Sequence, residues 1–402
     1  MTVDVPVPAM EITAGEYAAR LDAVRHKMEK QALAALLITD PANLYYLTGY
    51  NAWSFYTPQV LFVPAEGDLI FFAREMDANG AFRTSRLPVD QIIGYPETYV
   101  HRPHVHPFDW VAYKLRKLGL IAAAASGYVG LEMDSQFFSP KAYRALFNAI
   151  PEWNFVDCFE LVNWVRVIKS PAEIELMRAA GKVCTAAMNT AIEHVRVGAR
   201  QCDVAAAISA AQMAGTSEFG GDYPAIVPMM PTGVEADTPH LTWNDRPFNA
   251  GQGVVIELAG VYRRYHTPLA RTVMLGKPSE QLTNVADAVG EGMTAVLETV
   301  RPGVEARDLA KAWNWTLAKF GLEKPSRIGY SIGVGYPPDW GERTISLRTE
   351  DETVLAENMT FHLIGGMWMD NYGFELSESI RVTASGVEQF TGFPLELIIK
   401  ED

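Results

Sequence analysis

Apolar positions first recur at helical spacing. In EYAARLDAVRHKMEKQ (16–31), Tyr17, Leu21, Val24 and Met28 share one face, which predicts an amphipathic opening helix. The pattern then becomes continuous. ALAALLITD reads as a buried strand that stops at Asp40-Pro41, a turn signal. VLFVPAEGDLIFFA reads as two short strands around a Gly-Asp turn. Strands alternating with helices continue to about Trp164 and give a small α/β unit. Near Ser170 stands the clearest helix start: Ser170 as N-cap, Pro171 at the first helical position and Glu173 completing a capping box before Ile174, Met177 and Ala180. Two helices come next (about 171–196 and 201–215), then a strand-rich middle, a second helical pair (about 280–320) and terminal strands. The expected division is 1–168 and 169–402, an α+β protein of two domains.

Composition narrows the classes. The 402 residues are 49% hydrophobic, ample for two cores, and the net charge of -14 argues against a nucleic-acid partner. The first residues carry no basic region followed by an apolar run, so no signal peptide is expected. No apolar stretch is long enough to predict a membrane span. Cys158, Cys184 and Cys202 lack metal-ligand spacing and read as reduced thiols of a cytoplasmic protein.

Candidate chemistry centres on acids and aromatics. Glu257 follows the apolar run VVI, so its carboxyl sits on or at the end of a buried strand, where a raised pKa or a close partner is expected. A structural Glu bonded to Arg263, Arg264 or Arg271 is the bland alternative. His240, seventeen residues earlier, is a candidate proton carrier or a turn-capping loop residue. Tyr50, Trp53, Phe55 and Tyr56 come after NLYYLTG, read as the end of an early strand; Tyr50, Trp53 and Tyr56 are candidates for a wall facing a delocalised cation. The proline-containing turn in GYSIGVGYPPDWGERTISLR adds Asp339, Trp340, Glu342 and Arg343. In GFELSES, strand alternation puts Glu375 and Ser377 on one face and Glu378 on the other. His266 and His362 read as packing or wall residues, and the run of His101, His104 and His106 as a loop that closes over a cavity.

The segments GQGVVIELAGVYRRYHTPLART, GYSIGVGY, VLAENMTFHLIGG and GFELSESIRVT together resemble the pita-bread hydrolases, the family of methionine aminopeptidase, prolidase, aminopeptidase P and creatinase. The resemblance covers the whole chain. It implies a creatinase-like N-terminal domain and a pita-bread catalytic domain opening at SPAEIELMRAA. Metal-using members carry ligands where this chain has Glu257, Pro268, Tyr330, Ile364 and Ser377. Only the first of these is a carboxylate, so the expectation is no metal and no other cofactor.

Within that family, GYSIGVGYPPDWGERTISLR and MTFHLIGGMWMDNYGFELSESI are similar to the ectoine hydrolases. That implies a hydrolase opening a cyclic amidine, ectoine, to N-acetyl-2,4-diaminobutyrate, with hydroxyectoine as a further candidate substrate. Glu257 would be nucleophile or general base and His240 the proton shuttle. Tyr50, Trp53, Tyr56, Tyr330, Glu342, Arg343, Glu375 and Glu378 would bind substrate, with Arg343 or backbone amides for its carboxylate. A homodimer is implied, with the aromatic loop near the pocket. The alternatives are a creatinase-like amidinohydrolase, which calls for an Arg near Glu342, and a metal-less protein that binds a small cation without catalysis.

Overall fold

The computed structural model describes residues 10–124, 127–158 and 160–401. The chain forms two compact units, one spanning Ile12–Val165 and the other running from Arg166 onward and taking in Met10 and Glu11. No helix among the described residues is long and apolar enough to cross a membrane.

In the first unit the strands β1 (Leu33–Ile38), β2 (Val60–Pro64), β3 (Ile70–Arg74), β4 (Ile92–Tyr95), β5 (Tyr128–Leu131) and β6 (Asn154–Asp157) form one mixed sheet in the order β4-β3-β2-β1-β5-β6. Alternate side chains feed two cores. Leu36 and Ile38 join one with Val24 and Met28 of the opening helix, Ala14–Lys30, while Ala35 and Leu37 join the other.

Two expectations for this unit are corrected. Asp40-Pro41 opens a helix, Pro41–Thr48, instead of a turn. The Asp40 carboxylate accepts from the Ala42 and Asn43 amides, Pro41 needs no amide partner at the first position, and left-handed Gly49 closes the C-terminus. NLYYLTG is therefore helical. The His101–His106 run ends as a helix cap: His106 Nδ1 accepts from the Phe108 amide at the head of helix Pro107–Lys117, and the Asp109 carboxylate accepts from the His106 amide in return.

In the second unit the helix start expected at Ser170 is present. Ser170 Oγ accepts from the Glu173 amide and Glu173 accepts from the Ser170 amide, closing the capping box of helix Pro171–His194. Helices Gln201–Ala214, Glu280–Thr299 and Ala306–Lys319 come after it. The strands are β7 (Gly253–Tyr262), β8 (Tyr265–Leu275), β9 (Gly329–Tyr336), β10 (Asp339–Ser346), β11 (Thr360–Met369), β12 (Tyr372–Val382), β13 (Val387–Gln389) and β14 (Ile398–Lys400). They form a sheet in the order β13-β12-β11-β9-β8-β14, with β7 added to β8 and β10 to β9. The Glu280–Thr299 and Ala306–Lys319 helices pack on the β11–β12 side around Trp313, and Pro171–His194 packs with β7 and β8 in a separate core.

The close approach of helix Pro171–His194 to β7 depends on Gly260. A Cβ there would lie 2.1 Å from the Ala180 carbonyl oxygen and 2.2 Å from the Cys184 nitrogen, both backbone atoms of the helix. Gly260→Ala must push helix and strand apart, at a cost of about 2–3 kcal/mol for overpacking a core. The expected result is a lower denaturation midpoint, with the unfolding free energy reduced by about that amount. An unchanged midpoint would mean that the contact is loose.

Candidate active site

One cavity of the second unit, 690 Å³ in volume, is lined by Glu257, Glu375, His240, Tyr330, Trp340, Trp368, Lys324 and Arg327 among others. Strand pairing explains why they meet. Glu257 is in the middle of β7, and its amide and carbonyl bond the carbonyl and amide of Met229. The next residue, Met230, donates to the Leu241 carbonyl at 2.9 Å. Two adjoining backbone ties thus carry the loop with His240 to the strand with Glu257. His240 itself takes a left-handed backbone, φ 67°, and is solvent-exposed.

Glu375 arrives on β12. Its amide donates to Thr272 Oγ1 at 2.9 Å, and the Thr272 hydroxyl donates to the Glu375 carbonyl at 2.9 Å, fixing β12 against β8. The expected alternation is present on this strand: Glu375 lines the cavity and Ser377 turns onto β8, where its Oγ accepts from the Ala270 amide at 2.6 Å. Glu378 points the other way and pairs with Arg271 at 3.4 Å, both side chains fully buried.

Glu257 and Glu375 form the electrostatic centre. Both are buried, at 7% and 4% exposure, and among the described residues no Lys or Arg lies within ion-pair distance of Glu257. Burial raises the Glu257 carboxyl well above its ordinary range, and the charge of Glu375 raises it further. Burial raises Glu375 to about 7, with Lys324 pulling the other way. Burial therefore works against ionising either carboxyl, and near neutral pH the pair does not carry two full charges. The arginines of the bland reading are engaged elsewhere: Arg264 donates to the Tyr223 and Gly335 carbonyls, and Arg271 pairs with Glu378.

Tyr330 completes the wall, with His362 buried behind it. Tyr330 Oη accepts from Trp340 Nε1 at 2.8 Å and lies 3.2 Å from His362 Nδ1, while His362 Nε2 lies 2.7 Å from Ser377 Oγ. Burial pushes the His362 imidazole down to about 3, so the ring is neutral. His266 is likewise a packing residue; its Nε2 accepts from the Ala225 amide at 2.9 Å.

Several expected substrate residues are placed elsewhere. Glu342 is buried with its carboxylate 2.7 Å from Lys169 and 3.7 Å from Arg166, and it does not line the cavity. Glu378 is spent on Arg271, and Arg343 is exposed outside the lining. Tyr50, in the first unit, is buried against Phe71 at 4.6 Å between ring centroids and hydrogen-bonds Ser54, so it packs a core rather than presenting a wall. Trp53 and Tyr56 are exposed at 57% and 60%. The cavity's cations are Lys324 and Arg327, which no sequence pattern singled out although KPSR stands one residue before GYSIGVGY. Lys324 donates to the Gly366 carbonyl and Ser326, and the Arg327 guanidinium lies 4.3 Å from the centre of the Tyr330 ring.

The residues do not fit a dinuclear metal. Pro268 and Ile364 offer no lone pair, Ser377 Oγ is engaged by the Ala270 amide and His362, and Tyr330 Oη by Trp340 and His362. Among the described residues no cluster of three or more His, Cys, Asp or Glu is placed to hold an ion.

Comparison with known proteins gives the same architecture. The profile of Metallopeptidase family M24 matches residues 175–384, and that of the Creatinase/Prolidase N-terminal domain matches residues 20–168. The chain is 44% identical to the ectoine hydrolase of Halomonas elongata over 98% of this chain and 99% of that protein. It is 42% identical to an uncharacterized hydrolase/peptidase of Sinorhizobium fredii over 96% of this chain and 98% of that one. Among solved structures, the prolidase from Pyrococcus horikoshii superposes with a TM-score of 0.78 at 21% identity, covering 94% of this chain and 100% of that one.

The carboxyl pair has a stability signature. Glu375 keeps its proton in the folded chain up to about 7, whereas the unfolded chain releases it near 4.5, so stability falls as pH rises through that window. The full effect is on the order of 3 kcal/mol. Glu375→Gln removes it: the melting temperature of the variant should fall less between pH 5 and pH 8 than that of the wild type. Equal falls would show that Glu375 is not held protonated.

Proposed function

The chain belongs to the creatinase and prolidase family of pita-bread hydrolases, and from that premise we propose that it hydrolyses the cyclic amidine ectoine without a metal. The observation that carries the proposal is the cavity's charge pattern, a buried carboxyl pair together with Lys324 and Arg327. Ectoine is a small zwitterion, an amidinium ring with a carboxylate, and needs both. Glu257 and Glu375 suit the amidinium, and Trp340 and Trp368 line the same cavity. Lys324 and Arg327 suit the carboxylate, a role first expected of Arg343. The full-length similarity to a hydrolase of this substrate supports the same conclusion.

The raised carboxyl pair then has a use. An amidinium beside it lowers both pKa values, since an opposite charge favours the ionised form. Substrate binding thus favours loss of the Glu257 proton to solvent and leaves Glu257 as a carboxylate beside the amidine carbon. Glu257 either adds to that carbon, giving a covalent intermediate that water later opens, or takes a proton from water as the water adds. In both routes one ring C–N bond breaks, the oxygen of water becomes the acetyl carbonyl, and the departing nitrogen gains a proton that His240 supplies from the cavity wall. The product is an N-acetyl-2,4-diaminobutyrate. The proposal includes a cytoplasmic homodimer, supported by the buried free thiols Cys158 and Cys184 and by the exposed aromatic rings of Trp53 and Tyr56.

Glu257→Gln keeps shape and hydrogen-bonding capacity but removes the attacking charge. The variant should lose at least ~100-fold in turnover of ectoine. Ectoine binding, measured by calorimetry, should weaken far less. Near-normal turnover would move the chemistry to Glu375, and a wild-type protein that binds ectoine without turning it over would show a binding protein.

A further inference from the structure

We propose that Tyr330 donates a hydrogen bond to the ring nitrogen of the amidine as that nitrogen gains its lone pair, and that His362 and Ser377 fix the direction of this donor. The proposal rests on the reading of the cavity as an amidine hydrolase and adds to it a group that acts only in the transition state.

Proton counting along the chain of contacts sets the direction. Ser377 Oγ accepts from the Ala270 amide at 2.6 Å, so its own proton must go elsewhere. Ser377 is fully buried, and His362 Nε2, 2.7 Å away, is the other partner of this hydroxyl among the described residues. With the serine proton on Nε2, the neutral imidazole carries its one hydrogen on Nδ1, which faces Tyr330 Oη at 3.2 Å. Trp340 Nε1 is a donor only, and it supplies a second hydrogen to the same oxygen at 2.8 Å. Both lone pairs of Tyr330 Oη are then occupied. The hydroxyl can only donate, and Tyr330 lines the cavity that holds Glu257. The reverse tautomer puts the imidazole hydrogen on Nε2 and leaves the buried serine proton without an acceptor among these contacts, an arrangement that folded proteins avoid.

A donor-only hydroxyl has a specific use here. The nitrogens of a bound amidinium have no free lone pair, so the hydroxyl gains little from the ground state. When the new C–O bond forms, the C=N π pair moves onto a ring nitrogen, and that nitrogen becomes an acceptor. An O–H fixed in its direction is then worth more in the transition state than in the bound substrate. No atom passes through Tyr330 in this step. His362 and Ser377 touch no substrate and are positioning residues.

The test combines kinetics with a readout independent of activity. Tyr330→Phe should lower kcat for ectoine by at least ~100-fold, with KM changed by less than about threefold. His362→Phe should lower kcat in the same way, and the double variant should be no worse than Tyr330→Phe, since groups acting as one unit are not additive. His362→Asn retains an N–H near the Nδ1 position and should recover part of the loss. Nitrogen NMR of histidine-labelled wild type should show His362 protonated on Nδ1 and bare on Nε2; the signal is assigned by its loss in His362→Asn or its displacement in Tyr330→Phe. A hydrogen on Nε2, full turnover by Tyr330→Phe, or multiplicative losses in the double variant would overturn the proposal. A wild type inert toward ectoine would instead retire the amidine reading, while the NMR result would still judge the tautomer.

Discussion

Two carboxyls buried in one cavity constrain the rest of the catalytic unit. Glu257 and Glu375 are each almost removed from solvent; burial raises the cost of ionising both, and the charge of Glu375 raises that of Glu257 further. One pKa unit corresponds to about 1.4 kcal/mol, so shifts of this kind are a standing cost to the fold. The backbone leaves the pair little room to relax. Glu257 is tied on both sides of its peptide to Met229, and Glu375 exchanges two bonds with Thr272. Retention of protons toward neutral pH is the response in the free protein, and a cationic ligand is the response that would make the cost useful. The cost that lowers stability as pH rises is one that an amidinium, in the proposed reading, would relieve.

The residues that fill the family's metal-ligand positions obey the same constraint. Ile364 and Ser377 face each other directly across β11 and β12, and Pro268 is on β8 opposite Ala259. Where carboxylates at such positions would need a cation, this chain has an aliphatic side chain, a proline and a serine. The hydroxyls of Ser377 and Tyr330 are joined through the neutral ring of His362. A network of neutral donors and acceptors satisfies itself in a low-dielectric interior, which a cluster of unpaired acids cannot do. The buried acids of the cavity are Glu257 and Glu375, and Lys324 and Arg327 are its cations.

Much of this is legible in the sequence, and the misses share a cause. Local rules work where the information is local. The capping box at Ser170 and the alternation that separates Glu375 from Glu378 both depend on residues two to three positions apart. The run VVI before Glu257 marks a buried acid. Asp40-Pro41 misleads because the same dipeptide serves a turn and a helix N-terminus, and the choice lies with the apolar residues of the ANLYYLT segment beyond it. Glu342 and Tyr50 mislead because their partners, Lys169 and Phe71, come from distant segments, and no spacing rule shows which acid will be paired. Lys324 and Arg327 escape notice for the converse reason. They carry no motif, and only the meeting of β9, β11 and β12 brings them to the carboxyls.

The central claim is that the carboxyl pair, and no metal ion, carries the charge that this cavity needs. It is tested most directly by measuring ectoine turnover on protein dialysed against a strong chelator, with residual zinc, manganese, iron and cobalt counted by mass spectrometry in the same sample. The account predicts full turnover at far less than one ion per chain and no gain when divalent ions are returned. Turnover lost with the metal and restored by one or two equivalents of a divalent ion would contradict it.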